Sequence, residues 1–216
     1  MVNQLPPACP PWQVFQRFQP EREDGTVYRA HTHGQGAAPS DHGFIMGGMR
    51  MDRHLLMKDL GVLVSAARDR VAALQSVAEL LRSSGRYRWV GLYDVDRAAG
   101  TVTNIAWSGP GAPEYPAFPI TKGLTGAAIS TRKTVNVGNV AADPRYLTAF
   151  GTTKSEIIVP VFDGAGENVV GTIDVESEKP NAFPAEVQTL LEACSKVIRP
   201  LWRSDFGAPV RGGHLT

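Results

Sequence analysis

Cysteine is scarce in this sequence, which has only Cys9 and Cys194 among its 216 residues. Two cysteines are too few for a disulfide framework, so we expect a reducing, cytoplasmic location. Long hydrophobic runs are also missing, because no apolar stretch approaches the roughly 20 residues that a membrane-spanning helix needs. The first residues lack a basic region followed by an apolar one, so no signal peptide and no membrane partner are predicted.

An excess of charge of either sign is absent as well. The chain has 22 basic and 21 acidic side chains, mixed along its length, and a formal net charge of +1. Binding to nucleic acid phosphates needs a concentrated positive surface, so a nucleic acid partner is not expected.

Residues 1–50 are rich in proline, glycine and polar residues and have no sustained helical or strand period, so they are predicted to form a disordered tail. His31, His33 and His42 lie there with Asp41, but no periodic scaffold holds them at fixed geometry, and no metal site is predicted.

Three methionines, Met46, Met49 and Met51, precede the first segment with a regular pattern. We hypothesise that translation begins at one of them. An intact mass of the native protein that begins at Met1 would reject this hypothesis.

Residues 51–84 form a predicted N-terminal helical segment. Apolar residues recur there at spacings of three and four, as in Leu56, Leu60 and Leu63. The pattern fits one long helix or two, with Asp69 capping the second and Gly85 ending it. Such helices can cover a sheet, pair with their copy in a homodimer, or do both. We predict both.

Residues 85–204 form the predicted domain, followed by a tail at 205–216. A strand at 88–95 would place Trp89 and Tyr93 on the same face. A second strand covers 101–107, a loop covers 110–119, and a short helix opens at Gly123. The closing helix carries Cys194 on its apolar stripe, so Cys194 is predicted to be a core residue rather than a nucleophile.

Residues 155–177 predict a β-hairpin around a turn centred near Ala165. Ile158 would then face Thr172, and Glu156 would face Asp174. Because side chains alternate between faces, the members of one face are almost entirely apolar and predict the core: Ile157, Val159, Val161, Val169, Ile173 and Val175.

The other face of the hairpin gathers three acids, Glu156, Asp174 and Glu176. Opposed side chains in a sheet lie about 4.5 to 5.5 Å apart at Cβ, so these carboxylates should repel one another. Such crowding either raises the pKa of one group or requires a cation between them. A solvated sheet face that carries three acids by chance is the alternative.

Several of these segments together resemble the GAF domain family. The motifs are Trp-Val-Gly-Leu-Tyr at 89–93, Gly-Leu-Thr-Gly at 123–126, Asp-Pro-Arg at 143–145, Ser-Glu-Ile at 155–157, Val-Pro at 159–160 and Val-Gly-Thr-Ile-Asp-Val-Glu-Ser at 170–177. The resemblance covers about residues 55–203. Within the family, the chain is most similar to the branch of free methionine-(R)-sulfoxide reductases.

This resemblance implies a set of ligand-binding residues. Trp89 and Tyr93 would line a small closed pocket, and Glu156, Asp174 and Glu176 would hold the ammonium and polar end of a free amino acid. An aromatic wall beside a cation is a favourable arrangement, which agrees with the cation expected from the crowded acids.

The chain departs from that branch where its chemistry would lie. The branch has cysteines where this sequence has Tyr115, Thr125 and Ala149. A reductase of this kind needs an attacking thiolate and a resolving thiol, so no catalytic residue is predicted. Residues 86–203 contain no histidine and only Cys194, so haem and bilin cofactors are not predicted either, and a hard metal ion ranks below an organic cation.

The sequence therefore predicts an α+β, GAF-like fold: a central, mostly antiparallel sheet of five or six strands, with the N- and C-terminal helices on one face and a ligand pocket on the other. The leading hypothesis for function is a non-catalytic binding or sensor module for a free amino acid or another small ammonium-bearing molecule. The alternatives are a reductase-like enzyme with unusual thiol use, and a degenerate domain that serves only dimerisation or protein interaction.

Overall fold

The computed structural model describes residues 44–46, 49–147 and 150–202, with side chains from Asp52 onward. Strands β1 (Phe44–Met46) and β2 (Met49–Met51) pair antiparallel ahead of the first helix. The rest of the predicted tails at 1–50 and 205–216, and with them the histidines at 31, 33 and 42, lies outside the described residues.

A six-stranded antiparallel sheet forms the centre of the protein. Its strands are β3 (Trp89–Asp96), β4 (Thr101–Ser108), β5 (Ala117–Pro119), β6 (Val135–Val137), β7 (Ser155–Phe162) and β8 (Val169–Ser177). The order across the sheet is β5-β4-β3-β8-β7-β6. The helices are α1 (Arg53–Ala66), α2 (Arg70–Gly85), α3 (Gly123–Thr131) and α4 (Ala185–Ile198). The predicted α+β architecture is confirmed.

The N-terminal helical segment consists of two helices. The Asp69 side chain caps α2 by accepting a hydrogen bond from the Ala72 amide at 2.8 Å, as predicted. The predicted end of α2 is off by one residue, because Gly85 still belongs to the helix and Arg86 takes the left-handed conformation, with φ of 51°. Gly85 serves packing instead: a Cβ there would lie 2.0 Å from the Tyr87 ring.

The predicted hairpin forms, but its register is offset by two residues. Glu156 pairs with Glu176, and Ile158 pairs with Asp174. The offset is one residue beside the turn, where Phe162 pairs with Val169, and a β-bulge between Val161 and Phe162 adds the second residue. Since the offset is an even number of residues, the acids keep their predicted face.

Because of the same bulge, the predicted face of one core residue is wrong. Val169 packs with Trp89, Tyr93 and Val102 rather than with the helix-facing residues of the hairpin. The other five apolar side chains face the main core as predicted: Ile157, Val159, Val161, Ile173 and Val175.

The main core lies between the sheet and helices α1, α2 and α4. Leu60, Leu74 and Leu191 are each no more than 1 % exposed there. The opposite face of the sheet is covered by α3 and by the segments that flank it. The prediction of a loop over 110–119 is wrong at its end, because Phe118 pairs with Val102 and forms part of the edge strand β5.

Over the described part of the chain, the structure contains no helix with the length and apolar character required to span a bilayer.

Candidate functional site

Three buried acids lie side by side on the face of the sheet away from the main core. Glu156 belongs to β7, and Asp174 and Glu176 belong to β8. Their exposed fractions are 7 %, 7 % and 1 %. A solvated sheet face is therefore the wrong interpretation of these residues, because none of the three has free access to water.

Two aromatic rings from β3 stand beside the acids. Trp89 pairs with Glu176 and Tyr93 pairs with Thr172 across the β3–β8 ladder, and the ring centroids of Trp89 and Tyr93 are 6.4 Å apart. Gly91 lies between them and pairs with Asp174. A Cβ at Gly91 would lie 2.1 Å from the Trp89 ring and 2.9 Å from the Tyr93 ring, so this glycine lets both rings fold over the strand.

A cavity of about 40 Å³ opens above the acids. Its wall consists of Tyr93, Pro113, Tyr115, Phe118, Gly123, Leu124, Thr125, Leu147, Glu156, Asp174 and Glu176. Four of the five predicted site residues are in that wall. Trp89 is not; it packs behind the wall, where its ring centroid lies 5.7 Å from that of Phe150 and its Nε1 donates to the Gly111 carbonyl at 3.1 Å.

Sequence reasoning missed several members of the wall and one residue that supports it. Phe118 and Leu147 lie in segments without a regular period, so no pattern pointed to them. Thr153, whose hydroxyl donates to Glu176 Oε2, comes just before β7. A threonine that precedes a strand carries no signal of this contact.

Glu156 and Asp174 lie diagonally across the β7–β8 ladder on one face, since Glu156 pairs with Glu176 and Ile158 pairs with Asp174. Side chains of this length can meet across such a diagonal, and two ionised carboxylates in contact would repel each other. Burial and the neighbouring acids raise the pKa of Glu156 well above its ordinary value. Burial and the charge of Glu176 also raise the pKa of Asp174 well above its ordinary value. The two carboxyls titrate together, so a retained proton belongs to the pair rather than to either residue.

Asp174 still has one unsatisfied atom. Its Oδ1 is buried and has no hydrogen-bond partner among the described residues. Buried carboxylate oxygens are normally paired, and leaving one unpaired costs about 1 to 3 kcal/mol. The cavity wall therefore presents an acceptor that lacks a donor.

Glu176 is held differently from the other two acids. Burial raises its pKa to about 7, while the hydrogen bond from Thr153 and the charge of Arg88 act in the opposite direction. The Arg88 guanidinium itself binds Glu178 at 2.8 Å and lies 5.3 Å from the centre of the Phe150 ring. Burial thus moves the titration of Glu176 toward neutral pH.

Among the described residues, the wall contains no positively charged side chain. Gly123, Leu124 and Thr125 of the wall belong to the first turn of α3, and the N-terminal end of a helix carries a partial positive charge. Gly123 has φ of 73°, a conformation that favours glycine, and a Cβ there would lie 3.0 Å from Leu147. The acids therefore face a helix end, and Arg88, whose charge acts on Glu176, lies outside the wall.

The described thiol lies far from these acids. Cys194 is fully buried in the main core on the helix side of the sheet, where its sulfur lies 3.9 Å from that of Met57. Burial raises its pKa to about 12. Tyr115 and Thr125, two of the positions where the resemblance placed cysteines, are in the cavity wall, and Ala149 lies outside the described residues.

Comparison with known proteins identifies the fold and its family. The GAF domain family model matches residues 69–199, which is more than half of the chain. The chain belongs to the GAF domain family. This GAF domain is 29 % identical over 128 residues to GAF domain-containing protein A of Dictyostelium discoideum, which covers 59 % of this chain and 78 % of that protein.

Free methionine-R-sulfoxide reductases are also among the relatives. The enzyme of Saccharomyces cerevisiae is 32 % identical over 110 residues, which is 51 % of this chain and 60 % of that one. The structure of the Neisseria meningitidis enzyme, solved with its substrate, superposes with a TM-score of 0.64 at 27 % identity and covers 69 % of this chain and 87 % of that one. The predicted resemblance to this branch of the family is confirmed.

Metal binding was the other chemistry that three acids could support. Within residues 52–147 and 150–202, no group of three histidine, cysteine or acidic side chains is arranged to hold a metal ion.

Proposed function

We propose that this GAF domain is a non-catalytic binding module for a small molecule with an ammonium group, such as a free amino acid or an amine. The observation that carries the proposal is the Oδ1 of Asp174, which has no partner among the described residues and lies in a wall whose described members include three buried acids and no cationic side chain. An ammonium group donates three hydrogen bonds and brings the missing positive charge.

The aromatic part of the wall supports the same ligand chemistry. Tyr93 is 4 % exposed and lies beside the acids, where its ring face can attract a cation by about 0.5 to 2 kcal/mol. Phe118 packs against Tyr93 with ring centroids 5.8 Å apart and keeps the ring in place.

The size of the cavity limits what fits without rearrangement. A site needs roughly 10 to 15 Å³ for each water molecule, so 40 Å³ accommodates an ammonium group and little more. Tyr115 is the wall residue with the greatest freedom to yield, since 46 % of it is exposed. The rest of the ligand would therefore extend past Tyr115.

A thermal-shift screen with amino acids, amines, nucleotides and divalent ions tests this function. A ligand at 100 times its dissociation constant should stabilise the protein by about 2.7 kcal/mol. The Glu156→Ala change should cancel the shift, whereas Glu167→Ala, which removes an exposed acid in the turn between β7 and β8, should preserve it. A screen without a stabilising amine or amino acid would overturn the proposal and favour a domain that serves only assembly.

Similarity to the reductases favours one second candidate, an enzyme that acts on a free methionine sulfoxide. The position of Cys194 argues against it, because the sheet lies between this thiol and the cavity. A thioredoxin-coupled assay that follows NADPH consumption distinguishes the two candidates.

A further inference from the structure

We propose that this site exchanges a proton for its ligand: Glu156 and Asp174 share one proton in the free protein, and the arriving ammonium group displaces it to solvent. The inference rests on the proposed function and adds the regulation of that site, since ligand affinity becomes dependent on pH.

The geometry of the pair is the first support. Glu156 and Asp174 are diagonal neighbours on one face of the β7–β8 ladder, they line the same cavity, and each is only 7 % exposed. Two ionised carboxylates buried this close together repel each other. The pair therefore favours one bound proton.

The surroundings of the pair are the second support. The charged and titratable groups that face it are Glu176 on the same strand as Asp174, Tyr93 on β3, and Asp143 in the segment before β7, whose charge also raises the pKa of Glu156. Arg88 acts on Glu176 but is already paired with Glu178. From α3, only uncharged wall residues face the cavity. Arg145 is likewise paired with Asp143, at 2.6 Å. Among the described residues, both of these arginines are thus already paired with other acids, and neither lines the cavity.

The exchange balances in charge. With one shared proton, Glu156 and Asp174 together carry one negative charge. An ammonium group that replaces the proton leaves two carboxylates and one cation, which again sum to one negative charge. The ligand also gives Asp174 Oδ1 the donor that it lacks among the described residues. Binding and proton release are thus two parts of the same step.

The first arm of the test examines the free protein. Infrared spectroscopy of the full chain at pH 7 should show the C=O stretching band of a buried protonated carboxyl group. Glu156→Gln should weaken that band and leave only the contribution of Glu176, whose pKa of about 7 keeps part of it protonated. Glu167→Gln, the same chemical change at an exposed acid in the turn between β7 and β8, should leave the band at full strength. A band of unchanged strength in Glu156→Gln would overturn the inference. A wild-type spectrum without the band would overturn the inference, whether or not a ligand binds.

The second arm measures binding of methylammonium chloride, with sodium chloride as the control for ionic strength. Between pH 6 and pH 7, the dissociation constant of the wild type should fall about tenfold, as expected for one proton released per cation bound. In Glu156→Gln the amide can donate to Asp174 permanently, so binding should be weaker and should change less steeply with pH than in the wild type, with the titration of Glu176 as the remaining source of pH dependence.

The outcomes separate the inference from the function on which it rests. Methylammonium binding that is independent of pH in the wild type would overturn the proton exchange and leave the proposed function standing. Failure of methylammonium to bind at any pH would overturn the proposed function as well.

Discussion

Glu156 and Glu176 occupy directly opposite positions on neighbouring strands, and both side chains are buried. Like charges in such a pair are destabilising in any sheet. Here Asp174 adds a third acid to the same face, and the described residues of the cavity wall offer no cationic side chain in return. The domain therefore maintains an arrangement that lowers its own stability, which is typical of a site that is completed by a ligand.

The stability of the free protein should fall as pH rises from 4.5 to about 7, the ordinary and the raised pKa of Glu176. Burial raises its pKa from 4.5 to about 7, so between these values the folded state binds more protons than the unfolded state. The free energy of unfolding then decreases with pH, by up to ~3 kcal/mol over the window for this group. Urea denaturation at several pH values measures the slope.

Glu176→Gln should make this slope shallower, because the amide does not titrate. Glu167→Gln should leave the slope unchanged, since Glu167 is exposed in the turn between β7 and β8. A wild-type protein whose stability rises from pH 5 to pH 7 would contradict the assignment of Glu176 as a buried acid with a raised pKa.

Gly91→Ala should destabilise the fold by about 1 to 3 kcal/mol, because the new methyl group overlaps the ring of Trp89. Gly61→Ala in α1 is the matched control. No atom lies within 4 Å of its added Cβ, so it should stabilise the helix by about 0.5 to 1 kcal/mol. Chemical denaturation of the two variants compares them, and equal effects at both positions would contradict the proposed packing of Trp89 over Gly91.

Cys194 should be inert in the native protein. It is fully buried, and its pKa is raised to about 12, so almost no thiolate is present at pH 8. In a Cys9→Ser background, a disulfide reagent should label no thiol until denaturant is added. The same protein should consume no NADPH in the coupled assay with free methionine sulfoxide. Turnover that Cys194→Ser abolishes would contradict the non-catalytic function.

The homodimer expected from the N-terminal helices stays a prediction. Leu55 and Val62 are separated by two turns of α1 and are 50 % and 60 % exposed, so they form an apolar stripe on its outer face. Light scattering after size-exclusion chromatography should give twice the mass of the chain, and Val62→Glu should reduce it to the monomer. A wild-type monomer would remove the prediction.

Periodicity was sufficient to predict the α+β fold and the position of the acids on one face. The alternation in β7 and β8 separates Ile157, Ile173 and Val175 from Glu156 and Asp174, and an even register offset does not change that separation. The register itself depended on a bulge at Val161, which no residue pattern announced. Val169 was assigned to the wrong face for the same reason.

The cavity residues that lie outside the regular strands were harder to predict than those on the strands. Tyr93 and the acids lie on regular strands, where alternation fixes their direction. Phe118 and Leu147 reach the cavity from segments whose paths depend on tertiary packing. Trp89 shares the face of Tyr93, yet its ring turns toward Gly111 and Phe150, because contacts beyond the strand decide the direction of so large a side chain.

Calorimetric titration of the strongest ligand from the screen, beside an analogue with a hydroxyl group in place of its ammonium group, tests the central claim most directly. If the buried acids exist to hold a cation, the ammonium form should bind at least about 100-fold more tightly than the neutral analogue, a difference of ~2.7 kcal/mol. Equal affinity of the two compounds would contradict the account.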